Sequence, residues 1–392
     1  MRILLLGEYS NVHNTLARGL RALGHEVTVA SNGDFWKDYP RDIDLARSLT
    51  RRGTLSFLWR LMKALPDMRG YDIVQLINPM FLEVKAERLF AVYDYLRRNN
   101  GRIIMGAFGM DYYWMHVNDT LRPLRYSDSN IGDTLRHDDM TEALRRDVIG
   151  TAKQRLNEHI ARDCDAIVAG LYEYWATYRE ADNGQLGEKL TFIPFPVECC
   201  QTEPSSMDVK GFAATPSEFT NKESEFENQP TPQPLRIFCG ISRKRHAYKG
   251  TDIMLRAAQD VQAKYPERVE LTIAEGVPFA QYQHMMDTSD CILDQLYAYT
   301  PAMNALLAMS KGIIVIGGGE PENYDILGEK ELRPIVNVQP TYESCYTELE
   351  LLVLHPELIP VLKQQSVEYI RRHHDYMKVA KKYEELYTKL MV

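Results

Sequence analysis

The sequence predicts an α/β protein of two domains, each a mostly parallel sheet with helices on both faces. Three observations carry this. Short continuous apolar runs such as Ile3-Leu4-Leu5-Leu6 recur, as strands buried on both faces require. Stretches with apolar residues at helical spacing separate them. The alternation stops at a Pro-, Ser- and Glu-rich stretch from Cys199 to Pro234 and restarts at Leu235, as expected of a connection between two domains. The 392 residues suit two full cores.

In order, Ile3–Leu6 reads as the first strand. Leu16, Leu20 and Leu23 mark a helix that Gly24 stops. Val27–Ala30 is the second strand. A helix with Leu58, Leu61, Met62 and Leu65 on its apolar face precedes a strand at Ile73–Ile77. A helix over about Leu82–Arg98, a strand at Ile103–Met105, a polar stretch, a helix over about Met140–Asp163 and strands at Ala166–Ala169 and Thr191–Pro194 complete the first half. After the excursion come strand Leu235–Cys239 and helix Thr251–Lys264, whose apolar face holds Ile253, Leu255, Ala258 and Val261. Strand Val269–Ala274, helix Pro278–Met286, strand Cys291–Leu293 and helix Pro301–Lys311 follow, with Pro301 near N1. Strand Ile313–Ile316 ends in Gly317-Gly318-Gly319, Ile335–Val338 is the last strand, and the remainder is helical. The expected division is 1–198, linker 199–234, 235–375, and a last helix over 376–392.

Composition narrows the function. With 46 basic and 54 acidic residues the formal charge is −8, which argues against nucleic acid as partner. No run of about 18 apolar residues spans a membrane, and Met1–Gly7 is too short and too soon interrupted for a signal peptide. The six cysteines lack metal-site spacing and read as reduced thiols, so the expected location is the cytoplasm.

Four segments carry chemistry. Gly240 to Asp252 lies between a buried strand and a helix and concentrates Arg243, Lys244, Arg245 and Lys249, an anion trap of guanidinium and ammonium groups in an acidic chain; the alternative is a solvated basic loop. Gly7 to His13 occupies the first strand-to-helix turn but lacks GxGxxG, which disfavours a dinucleotide dehydrogenase. Glu8, Ser10 and His13 are its candidates for acceptor binding, and His13 equally suits a helix start. Gly106 to Trp114 places Asp111 among aromatics, which suits sugar recognition or the core of a large loop. Tyr297 to Gly312, followed by Gly317 to Glu322, offers a helix N-terminus for a diphosphate at Tyr299, Thr300, Pro301 and Asn304. There Gly318 allows close approach, and Glu320 and Glu322 could hold hydroxyls or lie in solvent. No Ser-His-Asp set or HExxH motif is present, so a hydrolase is not indicated.

Together, the two Rossmann-like halves, Gly24-His25-Glu26-Val27, the Arg243–Lys249–Gly250 element and Ala308-Met309-Ser310-Lys311-Gly312 resemble a GT-B glycosyltransferase of the retaining family-4 type, as in bacterial surface-polysaccharide synthesis. The resemblance implies two domains facing across a cleft and transfer of a sugar from a nucleotide diphosphate to a glycan or lipid-linked acceptor. It needs no cofactor and no metal, with Arg243 and Lys249 binding the diphosphate and Gly240 and Arg245 beside them. The family's two glutamates, aligned on Gly312, fall on Tyr299 and Leu307, so both are replaced; Glu320 or Glu322 takes over the ribose, or the donor is held differently. The family's His-Gly-x-Asp segment is Phe108-Gly109-Met110-Asp111, which keeps Asp111 as its carboxylate. These replacements leave open a non-catalytic sugar-nucleotide or glycan-binding protein, and a sugar-nucleotide epimerase is a third reading. The basic amphipathic segment Thr50–Lys63 suits either a core-facing helix or peripheral contact with the inner face of a membrane.

Overall fold

A computed structural model describes residues 1–47, 50–199, 233–242 and 245–392. Arg243 and Lys244, and most of the excursion after Cys199, lie outside the described residues.

The first half contains β1 (Arg2–Leu6), α1 (Val12–Ala22), β2 (Glu26–Ser31), β3 (Ile43–Asp44), α2 (Arg51–Ala64), β4 (Ile73–Leu76), α3 (Ala86–Asn99) and β5 (Arg102–Ala107). It continues with α4 (Tyr112–Thr120), the hairpin β6 (Asn130–Ile131) and β7 (Thr134–Leu135), α5 (Asp139–Val148), α6 (Ala152–Asp163), β8 (Ala166–Ala169), α7 (Tyr172–Glu180) and β9 (Leu190–Phe192). The second half has β10 (Leu235–Ile241), α8 (His246–Lys249), α9 (Thr251–Lys264), β11 (Val269–Glu275), α10 (Phe279–Asp287), β12 (Cys291–Leu293) and α11 (Met303–Ser310). Then come β13 (Ile314–Gly317), α12 (Pro321–Leu327), β14 (Val336–Asn337), α13 (Tyr342–Leu354), α14 (Leu358–Tyr369) and α15 (Tyr376–Met391).

The strands form two parallel sheets: seven strands in the order β3-β2-β1-β4-β5-β8-β9 and five in the order β11-β10-β12-β13-β14. Both are buried on two faces. One apolar cluster, including Leu4, Val74 and Ile103, covers one face of the first sheet, and another, including Ile237, Met254 and Ile314, covers one face of the second. A third runs through both halves, from Ile3 and Leu16 by way of Phe195 and Tyr369 to Ile292 and Val315.

Several elements differ from the sequence reading for identifiable reasons. The polar stretch contains α4, capped by Asp111; Tyr112, Tyr113, Trp114, Met115 and Val117 are all buried, so no one-sided stripe announces it. The single helix expected over Met140–Asp163 is two, broken at Gly150 (φ +76°). On α2 the buried residues are Phe57 and Leu61, while Trp59 and Met62 are 60% and 69% exposed. On α9, Met254 and Ala257 join Ala258 and Val261 inside, and Ile253 and Leu255 pack at the margin.

The chain crosses between halves twice, side by side. Val197 N–H donates to the His374 carbonyl at 2.7 Å and Tyr376 N–H to the Val197 carbonyl at 3.1 Å. Beyond this hinge α15 lies against α1: Tyr383 and Tyr387 are fully buried, and Tyr387 donates to Gln75 of β4 at 2.7 Å.

Candidate active site

The C-terminal strand ends of both sheets open onto a cleft of about 1050 Å³, the edge at which open α/β sheets bind ligands. Ser10, Asp34, Trp36 and Lys37 line it from the first half; Gly240, Arg245, Lys249, Phe279 and Asn304 do so from the second. A smaller pocket of about 250 Å³ adjoins it, sharing Ser10, Lys37, Phe279 and Asn304 and walled in part by Leu307. Where the resemblance expects the second glutamate, the pocket therefore has an apolar wall.

Lys249 ends the short helix after β10 and points into the cleft. Burial pushes its pKa down, and the carboxylates of Asp294, at the end of β12, and Asp128 oppose that. Asp294 is itself pushed up by burial and held back by Lys249 and by hydrogen bonds from Gln295 and Asn304. The result is a cation with two carboxylates near it, Asp294 and Asp128, lining a large open volume beside Arg245, which lies over the Tyr248 ring. Gly240 and Asn304 are brought to the same place, with Tyr282 donating to Asn304 Oδ1 at 3.3 Å. The role expected of Arg243 falls outside the described residues.

The opposite flank is closed, and it corrects several expectations. Glu173 of α7 accepts from Tyr299 N at 2.6 Å, Thr300 N at 2.9 Å and Thr300 Oγ1 at 2.5 Å. A carboxylate of the first half therefore occupies the backbone donors at which a diphosphate is expected. The helix α11 starts at Met303 with extended Ala302 as its cap, so Pro301 lies outside the helix. Glu320 and Glu322 are not free for a ribose. Arg125 donates to Glu320 Oε2 at 2.5 Å and pairs with Glu322. Glu320 also accepts from Tyr126 at 2.6 Å and Gln339 at 2.6 Å. The Tyr299 hydroxyl accepts from Arg125 N at 2.6 Å, and its ring packs between Tyr126 and Tyr172. Arg136, beside the β6–β7 hairpin, donates to the carbonyls of Ala247 and Tyr248 at 2.9 and 3.0 Å, while Tyr248 donates to Asp128 at 2.7 Å. Gly318 serves close approach within the second half and not to a ligand: a Cβ there would lie 2.1 Å from the Ala298 carbonyl oxygen.

The first-half candidates divide. Ser10 reaches the cleft. Glu8 is buried and caps α1, accepting from Asn14 N at 2.8 Å and His13 N at 3.3 Å; burial pushes it up to about 8 despite those bonds. His13 is fully buried, its Nδ1 2.8 Å from the Gly7 carbonyl oxygen, and burial lowers it to about 4. It serves the helix start rather than the cleft. Asp111 caps α4 through Trp114 N at 3.0 Å and accepts from Tyr178 at 2.5 Å; burial raises it to about 6. Each oxygen thus already holds a donor from the first half. Sequence reasoning missed Asp294, Trp36 and Phe279. Asp294 was findable as the first residue after a buried strand; the two aromatics sit in loop and helix-start positions without a pattern.

Among the described residues no three His, Cys, Asp or Glu side chains converge to hold a metal ion, and no helix is long and apolar enough to cross a membrane.

No protein-family model matches the sequence, and no curated protein matches it. Solved structures do. Sucrose-phosphate synthase from Thermosynechococcus elongatus has a TM-score of 0.60 at 13% identity, over 100% of this chain and 99% of that one. HepE of Anabaena, in complex with UDP and glucose, has a TM-score of 0.57 at 12% identity over 99% and 100% of the two chains. UDP-GlcNAc 2-epimerase from Neisseria meningitidis, bound to UDP-GlcNAc, reaches 0.51 at 12% identity over 99% and 100%. At such identities the likeness concerns architecture: parallel sheets of seven and five strands arranged in the GT-B fold, which nucleotide-sugar glycosyltransferases share with UDP-GlcNAc epimerases.

Proposed function

We propose that the protein is a glycosyltransferase that moves a sugar from a nucleotide diphosphate to a glycan or lipid-linked acceptor, with retention of configuration. The observation that carries this is Lys249, set beside Arg245 at the strand ends of the second sheet and facing an open cleft between two GT-B halves. The leaving diphosphate develops charge as the glycosidic bond breaks, and preorganised cations in a cleft stabilise it. Ser10 and Lys37, on the opposing wall, are placed to orient an acceptor hydroxyl toward the anomeric carbon. The solved structures that hold UDP, glucose or UDP-GlcNAc support a sugar nucleotide as donor by analogy of fold. A cytoplasmic location, with peripheral membrane contact through α2, belongs to the same reading; exposed Trp59 and Met62, with Lys63 over the Trp59 ring at 3.7 Å, suit an interface.

The test is release of nucleoside diphosphate from a panel of UDP-, ADP- and GDP-sugars, with Lys249→Ala compared at saturating donor. Turnover should fall by about two orders of magnitude; unchanged turnover removes Lys249 from the mechanism. A second reading, a sugar-nucleotide-binding protein without transferase activity, is favoured by Tyr299 and Leu307 at the glutamate positions and by the full engagement of Asp111. Calorimetric binding without turnover supports it, and free sugar formed without acceptor supports an epimerase.

A further inference from the structure

The open flank carries a feature that diphosphate binding does not use. Trp36 is 63% exposed and Phe35 56% exposed, a costly arrangement for two large aromatics. The loop that holds them is built, not slack. Asp34, Phe35 and Asp38 are left-handed, with φ of 57°, 59° and 49°, a conformation that an aromatic residue rarely adopts. Tyr39 N–H donates to the Gly33 carbonyl at 2.9 Å and closes the loop. Lys37 Nζ ties it to Asp34 at 2.6 Å and to Ser10 Oγ at 3.1 Å. The loop presents Trp36 across the cleft, where its ring meets Phe279 of the second half edge to face, with centroids 5.2 Å apart and planes at 84°. Both rings line the cavity that Lys249 and Arg245 line.

One cavity thus has a cationic part, Arg245 and Lys249 of the second half, and an aromatic part to which each half gives one ring. A ligand that fits both joins an anion to a planar ring system. Residues held in sparsely populated backbone regions, as Asp34, Phe35 and Asp38 are on either side of Trp36, cluster at active sites and ligand clamps. We propose that Trp36 and Phe279 are the jaws of an aromatic clamp for the base of a nucleoside diphosphate, so that a bound base bridges the two halves on the open side. This rests on the sugar-nucleotide reading of the cleft. In the present arrangement the rings touch each other, so a base entering between them must part them.

The experiment is calorimetric titration of the full chain, as wild type, Trp36→Ala, Trp36→Phe and Phe279→Ala, with UDP, ADP, GDP and inorganic diphosphate. Stacking on one ring is worth enough that Trp36→Ala should weaken the best nucleoside diphosphate about tenfold or more. Trp36→Phe should recover most of that, and inorganic diphosphate should bind all four proteins alike. Fluorescence gives a second readout: the nucleotide should quench the wild type and leave Trp36→Phe unquenched. Equal nucleotide affinity in wild type and Trp36→Ala overturns the clamp while leaving the sugar-nucleotide reading intact. Parallel loss of inorganic diphosphate overturns it too, since the effect would not depend on a base. If wild type binds no nucleoside diphosphate, the sugar-nucleotide reading fails and takes the clamp with it.

Discussion

On one flank of the cleft, Arg125, Tyr126, Arg136 and Glu173 of the first half are hydrogen-bonded into the second. On the other, the halves meet at the edge of Trp36 on Phe279 and leave about 1050 Å³ open. Both flanks are rich in charge, but they use it differently. On the closed flank each buried carboxylate finds its donors in the opposing half, as buried charge requires. On the open flank Arg245 and Lys249 of the second half face space across which the first half offers Ser10, Asp34, Trp36 and Lys37. Complementarity between the halves stops where a ligand is to complete it. Tyr299 and Glu320 lie on the closed flank and serve the contact between halves, whereas Leu307 lines the open pocket.

The largest break in this comparison should come from Glu173→Ala. It leaves the N–H groups of Tyr299 and Thr300 and the Thr300 hydroxyl without their acceptor in a buried position, at about 3 kcal/mol. Denaturant unfolding should show the loss; wild-type stability would mean that this carboxylate does not hold the flank. Acid acts on the hinge behind both flanks. His374 is buried, its Nδ1 3.0 Å from the Phe195 carbonyl oxygen, and burial lowers its pKa from 6.5 to about 3. Below pH 6.5 the unfolded chain takes up a proton that the folded chain refuses, so this histidine costs stability as pH falls toward 3. Between pH 7 and pH 5 the stability of His374→Gln should gain on the wild type by about 2 kcal/mol; a gap that does not move with pH would refute the buried neutral histidine. The smallest effect should be that of Arg125→Ala. Its side chain is 55% exposed, and although Glu320 is only 4% exposed, that carboxylate keeps its bonds from Tyr126 and Gln339, so the loss should be about 1 kcal/mol. Small-angle scattering should nevertheless show a larger radius of gyration, because the pair bridges the halves; an unchanged radius would leave the closing to Glu173.

The alternation of strands and helices was legible because buried parallel strands are short apolar runs and most surface helices carry a stripe. It failed at α4 and at α7, where Ala176, Thr177 and Tyr178 are buried alongside Glu173, because elements buried on several sides have no period to read. Lys249 and Gly240 were legible from a basic loop between strand and helix. The contacts that engage Glu320, Glu322 and Asp111 were not legible, for one reason. A carboxylate near a strand end looks the same in sequence whether it meets a ligand, a helix N-terminus or an arginine 195 residues away, and long-range pairing leaves no local signal.

The contact of α15 with α1 has a consequence for how the chain is made. Residues 376–391 are the last described stretch to leave the ribosome, yet Val379, Ala380, Tyr383 and Tyr387 share a core with Leu16 and Leu20. Until they arrive, the first-made sheet keeps one apolar side uncovered. The earliest part of the protein therefore cannot finish folding first, and the two halves should not survive as separately expressed pieces cut at the excursion.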